Sequence, residues 1–232
     1  MPEPRPSPRL SIVVPALDEA ASIEATLRAL GPIRARGHEV IVVDGGSTDG
    51  TPALAAPLAD RVVAAERGRA RQQNAGADAA DGDVLLFLHA DTRLPEGADE
   101  LVLGRLEETG RAWGRFDVRL SGGHPALRVI ERMIGLRSRL SGIATGDQAI
   151  FVAREAFERA GGFPEIPLME DVALSKALKA ADGPPLCLRE TVTTSSRRWE
   201  TRGVFRTVGL MWRLRFDYWR GADPAELAKR YR

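Results

Sequence analysis

Four short runs of β-branched and apolar residues recur in the first ninety positions, and stretches with helical periodicity separate them. Residues 9–15 (RLSIVVP), 38–43 (HEVIVV), 61–65 (RVVAA) and 83–88 (DVLLFL) each have the length and composition of a buried strand. Between them, residues 18–30 place Ile23, Leu27 and Leu30 at helical spacing and stop at Gly31-Pro32. Thr51-Pro52 opens a second helix, with a hydroxyl N-cap and proline at the first helical position. Residues 68–80 form a third helix, and Pro95 opens the next. Strands alternating with helices of this length predict a parallel sheet covered on both faces. Such sheets bind ligands at the carboxyl ends of their strands. Three of the four ends here are polar or flexible: Ala16-Leu17-Asp18-Glu19, Asp44-Gly45-Gly46-Ser47 and His89-Ala90-Asp91.

Past about Gly110 the alternation loosens. Residues 112–120 and 148–153 read as strands; 126–140, 155–160 and 170–181 read as helices, with a loop over 161–169. Residues 203–220 are amphipathic: Phe205, Val208, Trp212, Phe216 and Trp219 follow one stripe, and Arg206, Arg213 and Arg220 another. Packing of the apolar stripe against the sheet is the default expectation; contact with a membrane surface or a partner is the sharper alternative. Asp223-Pro224-Ala225-Glu226 resembles a capping box opening a last short helix.

Composition excludes several classes. With 232 residues, 44% hydrophobic and 28% charged, the chain is an ordinary globular sequence with enough length for a substantial core. A single cysteine, Cys187, excludes an intramolecular disulfide framework and a cysteine-based zinc site, which predicts a reducing compartment. No stretch approaches the ~20 apolar residues of a membrane span. The Pro-rich residues 1–8 lack the apolar core of a signal peptide and read as a flexible tail. A net charge of +1 lacks the basic balance of a nucleic-acid domain. The charge is nonetheless uneven, since residues 189–232 carry +6 and seven of the thirteen aromatics, and the rest carries −5.

Several acidic positions carry the candidate chemistry. Asp44, followed by Gly45, can accept hydrogen bonds from a nucleobase or ribose while glycine lets the backbone approach; it also suits a plain Asp-Gly turn. Asp91 can hold a divalent cation that also contacts a diphosphate, because Mg²⁺ takes one or two carboxylates plus phosphates and waters. His89 is a second ligand, a ribose contact or a core histidine. Glu170-Asp171 fits either the start of a helix or a general base that takes a proton from an attacking hydroxyl. Arg197, Arg198 and Trp199 form a basic-aromatic cluster suited to a phosphate and a sugar, or to a solvated surface beside a core tryptophan.

In combination these runs resemble a family 2 glycosyltransferase. The matching pieces are residues 12–19 (IVVPALDE), 42–51 (VVDGGSTDGT), 86–91 (LFLHAD), and Gly161-Gly162-Phe163 with Glu170-Asp171. More narrowly, residues 68–76 (GRARQQNAG), 112–117 (AWGRFD) and 195–199 (SSRRW) resemble a compact bacterial subfamily associated with radical-SAM or selenium-related genes. The resemblance implies the GT-A fold, a Rossmann-like α/β architecture with a mostly parallel sheet, helices on both faces and C-terminal amphipathic helices.

The resemblance also implies roles. Pro15, Ala16, Leu17, Glu19, Asp44, Gly45, Gly68, Arg69, Asn74, His89, Ala90 and Asp91 would bind the nucleotide, usually uridine diphosphate. Asp91 would hold Mn²⁺ or Mg²⁺, matching the last acid of an Asp-x-Asp motif whose first acid is His89 here. Asp171 matches the catalytic base, beside Glu170, and Arg197, Arg198 and Trp199 would meet the diphosphate or acceptor. The implied activity is inverting, non-processive sugar transfer from a nucleoside-diphosphate donor to an acceptor hydroxyl. One domain is expected over 9–232, with a nucleotide-sugar half (9–110), an acceptor side (111–202) and C-terminal helices (203–232). A cytoplasmic location follows, with the 203–220 helix a peripheral contact at the inner membrane face. The competing readings are a sugar-phosphate nucleotidyltransferase, disfavoured by the acidic loop after the first strand, and a non-catalytic nucleotide- or lipid-binding module.

Overall fold

The computed structural model describes residues 8–231; the expected tail before Pro8, residue 232, and the side chains of Arg198, Arg202 and Phe205 lie outside the described residues. The first half follows the expected alternation: β1 (Leu10–Ala16), α1 (Ile23–Ala29), α2 (Gly31–Ala35), β2 (Glu39–Asp44), α3 (Thr51–Ala55), β3 (Arg61–Ala64), α4 (Arg69–Ala79) and β4 (Val84–Phe87). Next come β5 (Thr92–Arg93), α5 (Ala98–Thr109), β6 (Trp113–Leu120) and α6 (Pro125–Ser141). A single 3₁₀ turn (Gly146–Gln148) leads to β7 (Phe151–Ala153), α7 (Arg154–Arg159), α8 (Glu170–Asp182) and β8 (Leu186–Thr194). The chain then runs through α9 (Arg197–Arg202), α10 (Val204–Trp219) and α11 (Pro224–Tyr231).

One eight-stranded sheet, in the order β3-β2-β1-β4-β7-β6-β8-β5, runs through both halves. Its first four strands are parallel, and β6 pairs parallel with β8. The short β7 is antiparallel to both neighbours, and β5 is antiparallel to β8. Register places Ala16 opposite Asp44 and Asp44 opposite Ala64, so β1, β2 and β3 end at one level, while β4 ends earlier, with Phe87 opposite Val13. Period-2 alternation sends Ile12, Val14, Val40 and Val42 to one apolar cluster and Val13, Ile41 and Val43 to the other. Both faces are therefore buried, as continuous apolar strands require.

Helix α4 lies unusually close to the sheet. A Cβ built on Gly76 would fall 2.3 Å from Val13 Cγ1, so only glycine permits this approach. The Gln72 amide donates to the carbonyls of Ala16 (2.8 Å) and Val43 (2.9 Å), tying the helix to two strand ends.

Several expectations need correction. Gly31-Pro32 ends α1 but also opens α2, because proline near the first helical position lacks only a hydrogen bond that the helix start leaves unused. Thr51 is not the cap of α3; Gly50 takes that position at φ 87°, and the Thr51 hydroxyl is buried against the neighbouring loop. β5 and β8 lack the apolar run that marks the earlier strands. Three aromatics of the α10 stripe expected to face the sheet point outward instead, Trp212, Phe216 and Trp219 being 62%, 55% and 75% exposed, while Val208 of the same stripe packs against the main apolar cluster. Thr207 and Leu214 form the buried side, and Leu214 joins Leu168, Met169, Val172 and Leu227 in a separate small cluster. At the start of α11, Asp223 Oδ1 accepts from Ala225 N (2.9 Å), while Glu226 pairs forward with Lys229. No helix among the described residues is long and apolar enough to cross a membrane.

Candidate functional site

The loops leaving β1 and β2 are stitched together by side chains. Asp18 N–H donates to Ser47 Oγ (2.9 Å), Glu19 N–H to Thr51 Oγ1 (2.9 Å), and Ala20 N–H to Asp49 Oδ2 (2.8 Å). In return Thr48 N–H donates to Asp18 Oδ1 (2.8 Å). Asp44 uses its own carboxylate to accept from Gly46 N (3.0 Å) and Ser47 N (3.1 Å), which closes the turn. A Cβ on Gly45 would meet Gln72 Cδ at 2.9 Å, so glycine is needed where the turn crosses α4.

Beyond these loops a cavity of about 630 Å³ opens past the strand ends. Glu19, Arg69, His89 and Asp91 line it from the first half, and Asp147, Glu170 and Asp171 from the second. Asp171 sits in the first turn of α8, with Oδ2 accepting from Gly146 N (2.8 Å) and Oδ1 from Val172 N (2.7 Å). These two donors fix its orientation, while each oxygen retains a further lone pair. A Cβ on Gly146 would lie 2.7 Å from His89 Nε2 and 3.8 Å from Asp171 Oδ2, so glycine is what lets this turn approach His89 so closely.

The electrostatics of this wall are unbalanced. Burial and the adjacent Asp171 push the Glu170 carboxyl up, against the pull of Arg69, whose Nη1 is 3.3 Å from Glu170 Oε1. Burial, with the nearby Arg69, pushes the His89 imidazole down, although Asp91, Asp147 and Asp171 oppose the shift. A neutral His89 keeps one ring nitrogen as an acceptor or ligand. Burial and the neighbouring Arg215 push Arg137 down to about 10. His89 Nε2, Asp147 Oδ1 and Arg137 Nε are buried without a hydrogen-bond partner among the described residues. Of the three described non-glycine positions with left-handed φ, Met169 (71°) lines the cavity, Asp18 (53°) precedes Glu19, and Ala149 (46°) follows the Gly146–Gln148 turn.

The structure thus brings Glu19, Arg69, His89, Asp91, Glu170, Asp171, Arg197 and Trp199 to one cavity. Pro15, Ala16, Leu17, Asp44, Gly45, Gly68, Asn74 and Ala90 do not line it. Asp44 is engaged within its own turn. Asn74 donates to Phe163 O (2.8 Å) and accepts from Phe163 N (2.9 Å), clamping the 161–163 loop onto α4. Ala90 O accepts from the Thr26 hydroxyl (2.7 Å), holding the 89–91 segment over α1. Sequence reasoning missed Gly146, Asp147 and Arg215, which line the cavity, and Arg137 behind them. Thr145-Gly146-Asp147 carries a turn signature and no more, and Arg137 is one of many helical arginines.

A divalent cation can be tested against these donors. Among the described residues no group of three or more His, Cys, Asp or Glu side chains is placed to hold a metal unaided. Asp91 together with the unpartnered His89 Nε2 suits a cation that draws its other ligands from phosphate and water.

The chain is similar to known proteins over most of its length. The family model described as Glycosyl transferase family 2 matches residues 11–159. A PGL/p-HBAD biosynthesis glycosyltransferase of Mycobacterium bovis is 39% identical over 102 residues, covering 41% of this chain and 40% of that one. A beta-monoglucosyldiacylglycerol synthase of Synechocystis is 27% identical over 245 residues, covering 93% of this chain and 50% of its own. The chain therefore spans about two-fifths to half the length of these curated relatives. Among solved structures, a mannosyltransferase of Pyrobaculum calidifontis in complex with GDP-Man and Mn²⁺ gives a TM-score of 0.65 at 24% identity, covering 93% of this chain and 62% of that one. TarS of S. aureus gives 0.68 at 18% identity, with coverages of 81% and 60%. At these identities the structural likeness establishes the fold, that of the GT-A glycosyltransferases.

Proposed function

The chain belongs to glycosyl transferase family 2, and from that premise we propose that it moves a sugar from a nucleoside-diphosphate donor to an acceptor hydroxyl with inversion. The observation carrying this reading is the convergence of Asp91 and Asp171, from opposite halves of the chain, on one cavity at the strand ends. Asp171 takes the proton of the acceptor hydroxyl, whose oxygen forms a bond to the anomeric carbon. The bond from that carbon to the diphosphate breaks, and its electron pair leaves with the nucleotide. The Gly146 and Val172 N–H groups hold the base in one orientation throughout. Arg69 and Arg197 face the same cavity and offset the charge developing on the leaving group.

Asp91, with His89 beside it, would hold a divalent cation. Mn²⁺ or Mg²⁺ bound there would supply Lewis-acid stabilisation of the diphosphate. The complexes of fold relatives support this assignment, since one holds GDP-Man with Mn²⁺ and another holds UDP with Mn²⁺. A UDP-sugar is the first donor to test. The likeness of residues 68–76, 112–117 and 195–199 to the compact bacterial subfamily is part of the same reading.

Asp171→Asn is expected to lower kcat by about 10²–10⁴-fold and leave UDP affinity within twofold. Asp91→Ala is expected to abolish the Mn²⁺-dependent part of UDP binding measured by calorimetry. Unimpaired turnover in the first variant removes Asp171 from the base role. Thermal-shift titration of UDP, GDP and TDP sugars with and without Mn²⁺ identifies the donor, because a ligand that binds the native state alone raises its melting temperature.

A further inference from the structure

A second cavity, of about 470 Å³, lies between α6 and α10. Its walls are apolar: Met133, Leu136 and Leu140 from α6 face Val208 and Trp212 from α10. Leu136 and Leu140 are 58% and 79% exposed, an uncommon fate for two leucines one helical turn apart. This cavity adjoins the catalytic one: Asp147, Trp199, Met211 and Arg215 form part of both linings. An apolar exterior groove therefore lies next to the cavity that holds the Asp171 carboxylate.

We infer that the α6–α10 groove takes the hydrocarbon chain of an amphiphilic acceptor, whose hydroxyl-bearing head passes Trp199 and Arg215 to reach Asp171. This deepens the glycosyl-transfer reading and rests on it. The volume falls within the range of small-molecule sites, and an apolar lining with a few polar groups at one end matches the polarity of an amphiphile. Charge supports the same orientation. Arg132 stands one turn from Leu136, and Arg213 and Arg220, on the stripe beside the aromatic one, each stand one turn from Phe216, all exposed to solvent. Arg220 also lies over the Phe216 ring at 5.8 Å. Tryptophans ringed by arginines are the composition of a surface that meets both hydrocarbon and anionic headgroups.

The test uses the full chain and 1-monoacylglycerols of increasing chain length as probes, each below its micellar concentration. Each added methylene is expected to tighten binding about fourfold until the groove is filled. Leu136→Asp and Leu140→Asp, both at exposed positions, are expected to abolish that dependence. Affinity independent of chain length in the unmodified protein overturns the inference, whatever the variants do. Binding only to phosphatidylglycerol vesicles, with no chain-length dependence for the monomeric probe, overturns it in favour of a membrane dock. A dimer in sedimentation that Leu136→Asp dissociates overturns it in favour of a second copy on the face. UDP with Mn²⁺ is titrated into the same preparation. Nucleotide binding without chain-length dependence sinks the groove assignment alone, and the reverse result sinks the nucleotide-sugar reading and the acceptor role with it, leaving only hydrocarbon binding by the groove.

Discussion

Glu170 and Asp171 are neighbours on one helical turn with opposite surroundings. Glu170 is almost fully buried, and Asp171 adds a like charge beside it, so the ionised form is disfavoured and its protonation range moves up. A carboxyl whose folded pKa exceeds its unfolded value stabilises the fold at low pH and loses that advantage as pH rises above about 4.3. Glu170→Gln is therefore expected to raise the melting temperature at pH 8 by roughly 2–4 °C, and by less at pH 4. An equal gain at both values would mean that the buried charge is not the cause. Gly146 supplies a second test, because a methyl there would press on His89 Nε2. Gly146→Ala is expected to lower kcat/KM by about 10- to 100-fold and, through overpacking against His89, the melting temperature by a few degrees; unaltered kinetics would remove His89 from the working surface. Asp91 and Asp171 were legible because each sits where a strand or helix end makes an acid conspicuous. Asp44 and Asn74 were legible as special positions, but the backbone groups that hold them were not, since no motif displays such partners.

Two glycines inside helices give opposite expectations at the scale of the element. Gly76 on α4 has no room for a methyl against Val13 and Val43, whereas Gly104 on α5 has open space around its absent Cβ. Gly76→Ala should destabilise the protein by about 2 kcal/mol through overpacking. Gly104→Ala should stabilise it by about 0.5–1 kcal/mol through helix propensity. Chemical denaturation of both variants checks the pair, and a shared sign would contradict the packing described for α4. The strands β1, β2 and β4 were readable because burial on both faces forces continuous apolar runs. β8 was not: its Leu-Cys-Leu-Arg-Glu-Thr-Val-Thr-Thr sequence alternates burial irregularly, and β6 supplies the pairing from seventy positions away. The amphipathicity of α10 was plain, but the direction of its aromatic stripe depended on α6 and on the small cluster around Leu214. Periodicity shows that a helix has two faces and leaves open which of them the fold buries.

Across the whole molecule, buried acid–base pairs join segments far apart in sequence. Asp99 on α5 is fully buried and holds Arg36 through two contacts of 2.6 Å, with His38 Nε2 at 3.1 Å. Asp117 on β6 is held by Arg139 at 2.8 and 2.7 Å and by the buried Arg115. Burial works against both carboxylates, yet the hydrogen bonds and charges of their arginines hold them below the usual carboxylate range. A depressed folded pKa gives stability that is present above the unfolded value of about 3.9 and lost as pH falls through the lower folded value. These two pairs should therefore contribute evenly from pH 8 to pH 5, where only the smaller opposite drift from Glu170 acts, and the protein should lose stability steeply below about pH 4. Asp99→Asn keeps the shape and removes the charge. Because Arg36 remains partly in water, the expected loss is about 2 kcal/mol, below the usual range for a wholly buried pair. Near neutral pH that corresponds to a melting temperature roughly 4–8 °C lower. As pH falls below the usual carboxylate range the difference between variant and parent should shrink, since protonation of Asp99 in the parent removes the charge that the substitution already removed. A difference that persists undiminished at pH 3 would locate the effect of Asp99 in packing, and the acid sensitivity of the fold would have to arise elsewhere.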